Sequence, residues 1–362
     1  MRISRATITI LVNVSLIGLQ FASAQSYQPA KVKVHGNFKK CTQYFYGYKD
    51  GVIDSSTKRK KYVPIFNKKG KMVSETNYHE SGAYSTYQYG KDVSVIDYVQ
   101  YNSDGTIYLN EIYEYKDDKK HQLFEHISFE VSKSGEQKLK DRKAYKYDYK
   151  KRIVEEIFYC SNLSDVYNRV KTRYNAHGKE IEIARYDSKD SMESKVIFKY
   201  DKNGNHVEAM FYNSEGYNRK STFKYNEKNK LLEAIEYNHQ DSIEHKLTYK
   251  YDDQGNQVEG ISYNKDLAVN SKTTSKYDSE GNWIESLEYH SDGKVHKKFT
   301  TQYDIKNRKI EWYRTSYYPN EIQIPQNPKK TWKYDLYGNI LEEVEYDSTG
   351  IPQSKIEYVY SK

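Results

Sequence analysis

Hydrophobic and polar positions along this chain follow a pattern that repeats about every 26 residues. One copy reads KYDDQGNQVEGISY over 250–263, and close copies occur over 199–212, 276–289 and 333–346. Within each copy a Glu, an apolar residue and a Tyr are two positions apart, which is the spacing of side chains on one face of a strand. A second alternating stretch follows a Tyr-x-x-x-Gly turn. Each repeat is therefore predicted to be one β-hairpin.

The tyrosine of each "YD" pair is a natural reference position, called the anchor here. Asp or Asn follows the anchor and a glycine often lies three residues further on, as Asp252 and Gly255 do. This is the chemistry of a type I turn closed by a left-handed residue. An apolar residue just before the recurring Glu breaks the alternation, so either both faces are partly covered or a bulge interrupts the strand. The anchors are Tyr147, Tyr174, Tyr200, Tyr225, Tyr251, Tyr277, Tyr303 and Tyr334, with weaker copies at Phe66, Tyr89 and Tyr115, and Tyr360 at the end of the series.

Tandem hairpins of this length predict an all-β fold, in which an extended antiparallel sheet or solenoid twists or curls. The hairpin-repeat domain is expected to span 61–362. The period is broken near 128–141 and 317–330, where we expect irregular insertions, and the second of these holds three of the six prolines. Residues 25–60 lack the pattern and are expected to cap the first hairpin.

The first 24 residues differ in kind from the rest. A basic start, an apolar run and the small residues before Gln25 are typical of a secretory signal peptide. The alternative is a membrane anchor, but the run is short for a span and contains Asn13. No later run is long enough to cross a membrane, so the mature protein is expected to be secreted, periplasmic or on the cell surface, with no transmembrane segment.

The composition is hydrophilic, with 36% hydrophobic and 30% charged residues, but 40 residues are tyrosine. A tyrosine supplies a large surface for burial and one hydroxyl, so such a chain can still fold. The formal net charge is +8, and Lys and Glu are interleaved, so we expect no nucleic-acid partner. Cys41 and Cys160 are about eight strands apart in an open sheet, so we expect them to be unpaired.

The "YDxxGN" opening with its Tyr-x-x-x-Gly turn resembles the YD repeats of RHS-type secreted bacterial proteins, and "GNxxExxxY" is similar to MORN-like hairpin repeats of the YwqK type. The resemblance covers about residues 61–362. It implies an exported β-repeat protein, and carbohydrate binding by analogy. The "PxxxxDPxGL"-like motif at which large RHS proteins release a toxin is absent, so toxin delivery is not implied.

A glutamate eight residues after the anchor recurs in eight consecutive repeats, from Glu155 to Glu342. Paired carboxylates can hydrolyse glycosides, but an active site is normally formed once rather than eight times. A cross-strand ladder of ion pairs with the recurring lysines explains the glutamates better. His239, Asp241 and His245 are close in sequence but straddle a turn, and no metal motif occurs. We therefore expect no metal, no cofactor and no catalytic residue.

A tyrosine twelve residues after the anchor also recurs. Such a row could stack against successive sugar rings, or it could simply pack the sheet. The candidate ligand-binding residues are Tyr186, Tyr212, Tyr237, Tyr263, Tyr289 and Tyr346.

The sequence therefore predicts an exported, non-catalytic repeat protein of a bacterial envelope or surface that binds polysaccharide or cell-wall glycan through this aromatic face. One alternative is a protein-interaction scaffold, or an immunity-like partner of a secreted toxin. A weaker alternative is a carbohydrate-active enzyme with a site formed by the insertions near 128–141 and 317–330.

Overall fold

A computed structural model describes residues 38–90, 95–115, 123–150, 152–160, 165–317 and 329–361. The regular secondary structure of these residues is β-strand throughout. The strands are β1 Lys40–Lys49, β2 Val52–Phe66, β3 Met72–Tyr78, β4 Tyr84–Tyr89, β5 Val95–Tyr101, β6 Ile107–Tyr115, β7 Leu123–Val131, β8 Gln137–Tyr147, β9 Ile153–Tyr159, β10 Val166–Tyr174, β11 Glu180–Asp187, β12 Met192–Tyr200, β13 His206–Asn213, β14 Gly216–Tyr225, β15 Leu231–Tyr237, β16 Ile243–Tyr251, β17 Gln257–Tyr263, β18 Val269–Tyr277, β19 Trp283–Tyr289, β20 Val295–Tyr303, β21 Lys309–Ser316, β22 Lys329–Tyr334, β23 Ile340–Tyr346 and β24 Pro352–Ser361.

The turn after each anchor has the predicted geometry. In the turn after Tyr251, the N–H of Gly255 donates to the carbonyl of Asp252 at 3.0 Å. The Asp252 carboxylate accepts from the N–H of Asn256 at 2.8 Å, which fixes the turn from its side-chain side. Gly255 has φ +88°, a conformation that favours glycine because it has no Cβ. The predicted type I turn with a left-handed residue is therefore confirmed.

A β-bulge follows the turn and explains the break in the alternation. Tyr251 pairs with Gln257 while Lys250 pairs with Glu259, so Val258 is the extra residue. The same register shift occurs in most of the hairpins whose first strand ends in an anchor. Of the two explanations that the sequence left open, the structure shows the bulge.

The anchor hydroxyl joins each hairpin to the one before it. The Tyr251 hydroxyl donates to the carbonyl of Leu231, the first residue after the preceding turn, at 2.8 Å. A backbone carbonyl is a strong acceptor that needs a donor when it is shielded from water, and the tyrosine hydroxyl supplies one. The same bond is made by Tyr115, Tyr147, Tyr174, Tyr200, Tyr225, Tyr277, Tyr303, Tyr334 and Tyr360. We call these residues latch tyrosines.

The sheet is closed, which corrects the expected extended sheet or solenoid. Each strand pairs antiparallel with its neighbours in sequence, and β1 pairs with both β2 and β24. At this seam Cys41 is fully buried against Ile356, Tyr358 and Tyr360. Closure removes the two free edges that an open sheet would expose. The tandem hairpins are confirmed, and the open form is wrong.

The N-terminal segment supplies the closing strand. Tyr44, Tyr46 and Tyr48 alternate along β1, so residues 40–60 form β1, a turn and the first part of β2 where a cap was expected. Residues 128–141 are also largely strand, because Ser128 pairs with Asp141 and the added residues lengthen β7 and β8. The predicted signal peptide and most of the predicted loop at 317–330 lie outside the described residues.

The two faces of the sheet carry different residues. One face, the latch face, carries the latch tyrosines and most of the buried side chains, such as Phe223, Leu247 and Tyr249. The other, the ladder face, carries the recurring Glu, Lys and Tyr residues, which share it because they pair directly across strands. Cys41 and Cys160 form no disulfide with each other. Among the described residues, no helix has the length and apolar character needed to span a bilayer.

Candidate binding surface on the ladder face

The recurring glutamates form the predicted ladder of ion pairs. Glu259 lies opposite Lys250 in its own hairpin, with 2.8 Å between carboxylate oxygen and ammonium nitrogen. Its other oxygen lies 2.7 Å from the ammonium of Lys272 in the next hairpin. Glu233, Glu285 and Glu342 each accept from two lysines in the same way. The ladder therefore continues from one hairpin to the next along the sheet.

The ladder holds these glutamates in the ionised form. Hydrogen bonds from Lys250 and then Lys272 lower the pKa of Glu259, and the bond to Glu259 raises the pKa of Lys250. The pKa of Glu285 is lowered in the same way, first by Lys276. A general acid for glycoside cleavage needs a raised pKa, so these carboxylates are poorly suited to that role.

All six sequence-predicted tyrosines lie on the ladder face. Each is half-buried, and each is the direct cross-strand partner of a basic residue. The pairs are Tyr186 with Arg169, Tyr212 with Lys195, Tyr237 with Lys220, Tyr263 with Lys246, Tyr289 with Lys272, and Tyr346 with Lys329. We call this set the tyrosine–lysine row. The sequence identified its tyrosines but did not recognise their pairing with basic residues.

Lysine ammonium groups lie close to the rings of the row. The nitrogen is 4.9 Å from the ring centroid in the Lys220–Tyr237 pair and 5.2 Å in the Lys195–Tyr212 pair. For Tyr289 and Tyr346 the corresponding distances are 5.7 Å and 5.8 Å, so these ammonium groups lie near the outer limit of cation–π contact. The surface therefore alternates aromatic rings with positive charge.

The row is continuous over five hairpins. Tyr186, Tyr212, Tyr237, Tyr263 and Tyr289 lie on every second strand from β11 to β19. Two strand spacings amount to about 10 Å, which sets the interval between neighbouring rings. Thr315 holds the equivalent position on β21, so Tyr346 is separated from the other five.

The charge of the ladder face reverses at the other end of the chain. From β4 to β7 the ladder face carries Asp97, Asn110, Glu114 and Glu125. Of these, Glu114 and Glu125 are direct cross-strand partners. Glu125 is paired with Arg142 of β8, where the basic positions begin. The positive part of the ladder face thus begins at β8.

The latch face has a polar segment that the sequence analysis missed. The residue two positions before an anchor is the cross-strand partner of the residue nine positions after that anchor. In β14–β17 these partners are Phe223 with Ala234 and Tyr249 with Gly260. In β4–β9 the same positions hold Tyr87 with Tyr98, Tyr113 with His126, and Tyr145 with Glu156. The detectable sign is the residue after the recurring acid, which is small in one set and large or titratable in the other.

Hydrogen bonds satisfy much of this polar segment. Within the segment, the Tyr113 hydroxyl donates to Glu111 at 2.7 Å. Just before it, the Tyr62 hydroxyl of β2 donates to Glu75 of β3. Nε2 of His126 lies 3.3 Å from the same Glu111 carboxylate. Glu156 differs from Glu111, because only 6% of Glu156 is exposed and this burial raises its pKa to about 7.

The histidine-containing segment of the sequence does not form a site. Asp241 accepts from Lys220 at 3.0 Å and from the Tyr217 hydroxyl at 2.9 Å. His245 bonds the Ser262 hydroxyl at 2.8 Å, on the next strand. Among the described residues, no group of three or more His, Cys, Asp or Glu side chains is placed to hold a metal ion.

Comparisons with known proteins assign this chain to no family. No family model matches the chain, and no curated protein matches it in sequence. Among solved structures, the chain is similar to TcdB2-TccC3 without its hypervariable C-terminal region, with 15% identity and a TM-score of 0.40 over 81% of this chain. It spans 15% of the length of that protein.

A porin-like protein from Bacteroides uniformis matches over 91% of this chain and 99% of its own length, with 9% identity and a TM-score of 0.27. A Photorhabdus luminescens Tc holotoxin pore structure matches with 9% identity, a TM-score of 0.34, and coverage of 81% and 20%. At such low identities and TM-scores these likenesses carry no conclusion about the fold, family or activity of this chain.

Proposed function

We infer that the protein is an exported, non-catalytic repeat protein of a bacterial envelope or surface, and that it binds polysaccharide through the tyrosine–lysine row. The observation that carries this proposal is the placement of half-buried tyrosines at one position of five successive hairpins, with a sixth beyond β21, all on one face. A regular row of aromatic side chains matches a ligand that is itself a regular polymer.

The chemistry of the row supports binding and gives no support to catalysis. Tyrosine presents an apolar ring edge and a hydroxyl to a sugar at low entropic cost, because few torsions must be fixed. The four ladder glutamates that are each held by two lysines have lowered pKa values, so they supply neither a general acid nor a free nucleophile; they are Glu233, Glu259, Glu285 and Glu342.

Binding to a polysaccharide panel tests this function. The purified mature protein is compared with a variant in which Tyr212, Tyr237, Tyr263 and Tyr289 are changed to Val, which keeps a strand-forming side chain. We expect the variant to bind at least about tenfold more weakly, since truncating an interface aromatic commonly costs more than 1 kcal/mol.

The matched control changes Tyr149, Tyr167 and Tyr337, which are 86%, 65% and 75% exposed and lie off the row, to Val. This control should bind like the native protein, and circular dichroism should show all three proteins folded. Equal loss in both variants would assign binding to tyrosine content and not to the row. No binding of any polysaccharide by the native protein would contradict the function, and a crosslinked pull-down would then test the protein-scaffold alternative.

A further inference from the structure

The tyrosine–lysine row carries more positive charge than the ladder beneath it neutralises. Each regular hairpin contributes one ladder glutamate and two lysines, as in the hairpin of Glu259, Lys246 and Lys250. One ladder glutamate and two lysines also occur in the hairpins whose first strand ends at the anchor Tyr200, Tyr225, Tyr277 or Tyr334. The ladder therefore leaves one positive charge per hairpin, and beside Lys220 the turn carboxylate of Asp241 offsets it.

The excess charge is accessible. The side chains of Lys224, Lys250 and Lys276 are 73%, 74% and 71% exposed, although each bonds a ladder glutamate. An ammonium group has three donors and this bond uses one, so the others can bind an anion from solution without breaking the ladder. The lysines opposite the tyrosines are more covered, and Lys246 has 27% of its side chain exposed.

The charges and the rings have the same spacing. Both recur once per hairpin, at intervals of about 10 Å along the sheet. That interval is close to the Debye length at physiological salt, so neighbouring excess charges act together on a ligand that spans them. A small anion would contact one hairpin only, whereas an anionic polymer would contact several.

The extent of the positive surface also suits a polymer. The excess positive charge begins at β8 and recurs to β23, with an interruption at β20–β21, where Gln302 lies opposite Glu311. The acidic positions of β4–β7 would repel an anion. Nucleic acid fits less well, because each strand of a duplex places a phosphate about every 3.4 Å, and single strands bind largely by stacking bases on open aromatic faces. Here ammonium groups lie over rings of the row, as Lys220 does over Tyr237.

We propose that the polymer bound by the tyrosine–lysine row is an acidic polysaccharide, whose sugar rings contact the tyrosines while its carboxylate groups bind the exposed lysines. This proposal rests on the proposed function and narrows its ligand class. A uronic-acid glycan that is nearly two-fold along its length presents equivalent carboxylates on one side at every second sugar, which is comparable to the spacing of the hairpins.

Matched polymers test the charge requirement with the native protein. Binding is measured by titration for polygalacturonate, for the same polymer with its carboxylates reduced to alcohols, for neutral dextran and for single-stranded oligothymidylate. We expect polygalacturonate to bind at least about tenfold more tightly than the reduced polymer, and that preference to shrink as salt is raised.

Matched variants test the residues. Lys224, Lys250 and Lys276 are changed together to Gln, which leaves the tyrosines in place. The control changes the exposed turn residues Lys202, Lys265 and Lys306 to Gln, with the same loss of charge. We expect about a tenfold loss of polygalacturonate affinity in the first variant and little change in the second.

The outcomes separate this inference from the proposed function. Equal affinity for polygalacturonate and its reduced form, or equal loss in both lysine variants, would overturn the acidic-polymer inference and leave polysaccharide binding intact. No binding of any glycan would overturn both. Tighter binding of oligothymidylate than of any glycan would also overturn both and assign the surface to nucleic acid.

Discussion

Two segments of the latch face use the same backbone positions for different interiors. In β14–β17 an aromatic ring lies opposite a small residue, as Phe223 does opposite Ala234, and Leu247 fills the space beside them. In β4–β9 both partners are large or titratable, as Tyr145 and Glu156 are. The repeat fixes the backbone in both segments, so their stabilities depend on different forces. The first depends on packing, and the second depends on hydrogen bonds and on the protonation of buried groups.

A substitution at Leu247, which is 1% exposed, tests the packing of the apolar segment most directly. Leu247→Ala should lower the free energy of unfolding by about 3–4 kcal/mol, because it removes buried surface and leaves a cavity. Urea denaturation measures this value. The matched control is Leu232→Ala, a bulge residue that is 38% exposed, for which we expect a much smaller loss. Equal losses at the two positions would show that the segment does not depend on its packed core.

In the polar segment the residue to test is Glu156, because burial raises its pKa from 4.5 to about 7. The folded protein therefore binds a proton more tightly than the unfolded chain, and its stability falls as pH rises from about 4.5 to 7. The shift corresponds to about 3 kcal/mol. Glu156→Gln should remove this loss, so the variant should be more stable than the native protein at pH 8 and should have little advantage at pH 4.

Denaturant titrations at the two pH values check this sign. The adjacent Glu155 lies on the ladder face, 2.7 Å from the ammonium of Lys146, and provides the control. Glu155→Gln should lower the free energy of unfolding at pH 8, because the protein loses the ion pair with Lys146. A stability difference between Glu156→Gln and the native protein that does not change with pH would contradict the assignment.

The smallest effect compares two tyrosines at one repeat position. Tyr358 donates its hydroxyl to the buried Glu343, whereas the hydroxyl of the equivalent Tyr249 has no partner among the described residues. Tyr358→Phe should cost about 2 kcal/mol, because Glu343 loses a donor. Tyr249→Phe should be neutral or slightly stabilising. Thermal unfolding of the pair measures the difference, and similar shifts in both would mean that the hydroxyl bond at Glu343 adds nothing.

The sequence predicted the parts of the molecule that repeat. The Asp–Gly turn, the hairpin and the Glu259–Lys ion pairs each depend on residues close together in the chain or on a fixed register, so their pattern is visible along one sequence. The six row tyrosines were found for the same reason. Their pairing with lysine was missed because it requires the register across a hairpin and not only the spacing along a strand.

Closure of the sheet could not be predicted in the same way. The pairing of β1 with β24 is made once, between strands at opposite ends of the fold, so no periodicity reports it. The alternation of Tyr44, Tyr46 and Tyr48 indicates a strand but not its partner. The latch bonds were also hidden, because the acceptor is a backbone carbonyl, which no side-chain pattern reveals.

The seam has a consequence for how the molecule is made. The Tyr46 hydroxyl donates to Glu357, a residue 311 positions away. Contacts between such distant residues form slowly, because the intervening chain must first be ordered. Since β24 is synthesised after the other strands, a nascent chain has two unpaired edges until that strand arrives, and such edges template aggregation. Aggregation of the nascent chain is therefore favoured most during the late interval before β24 pairs with β1.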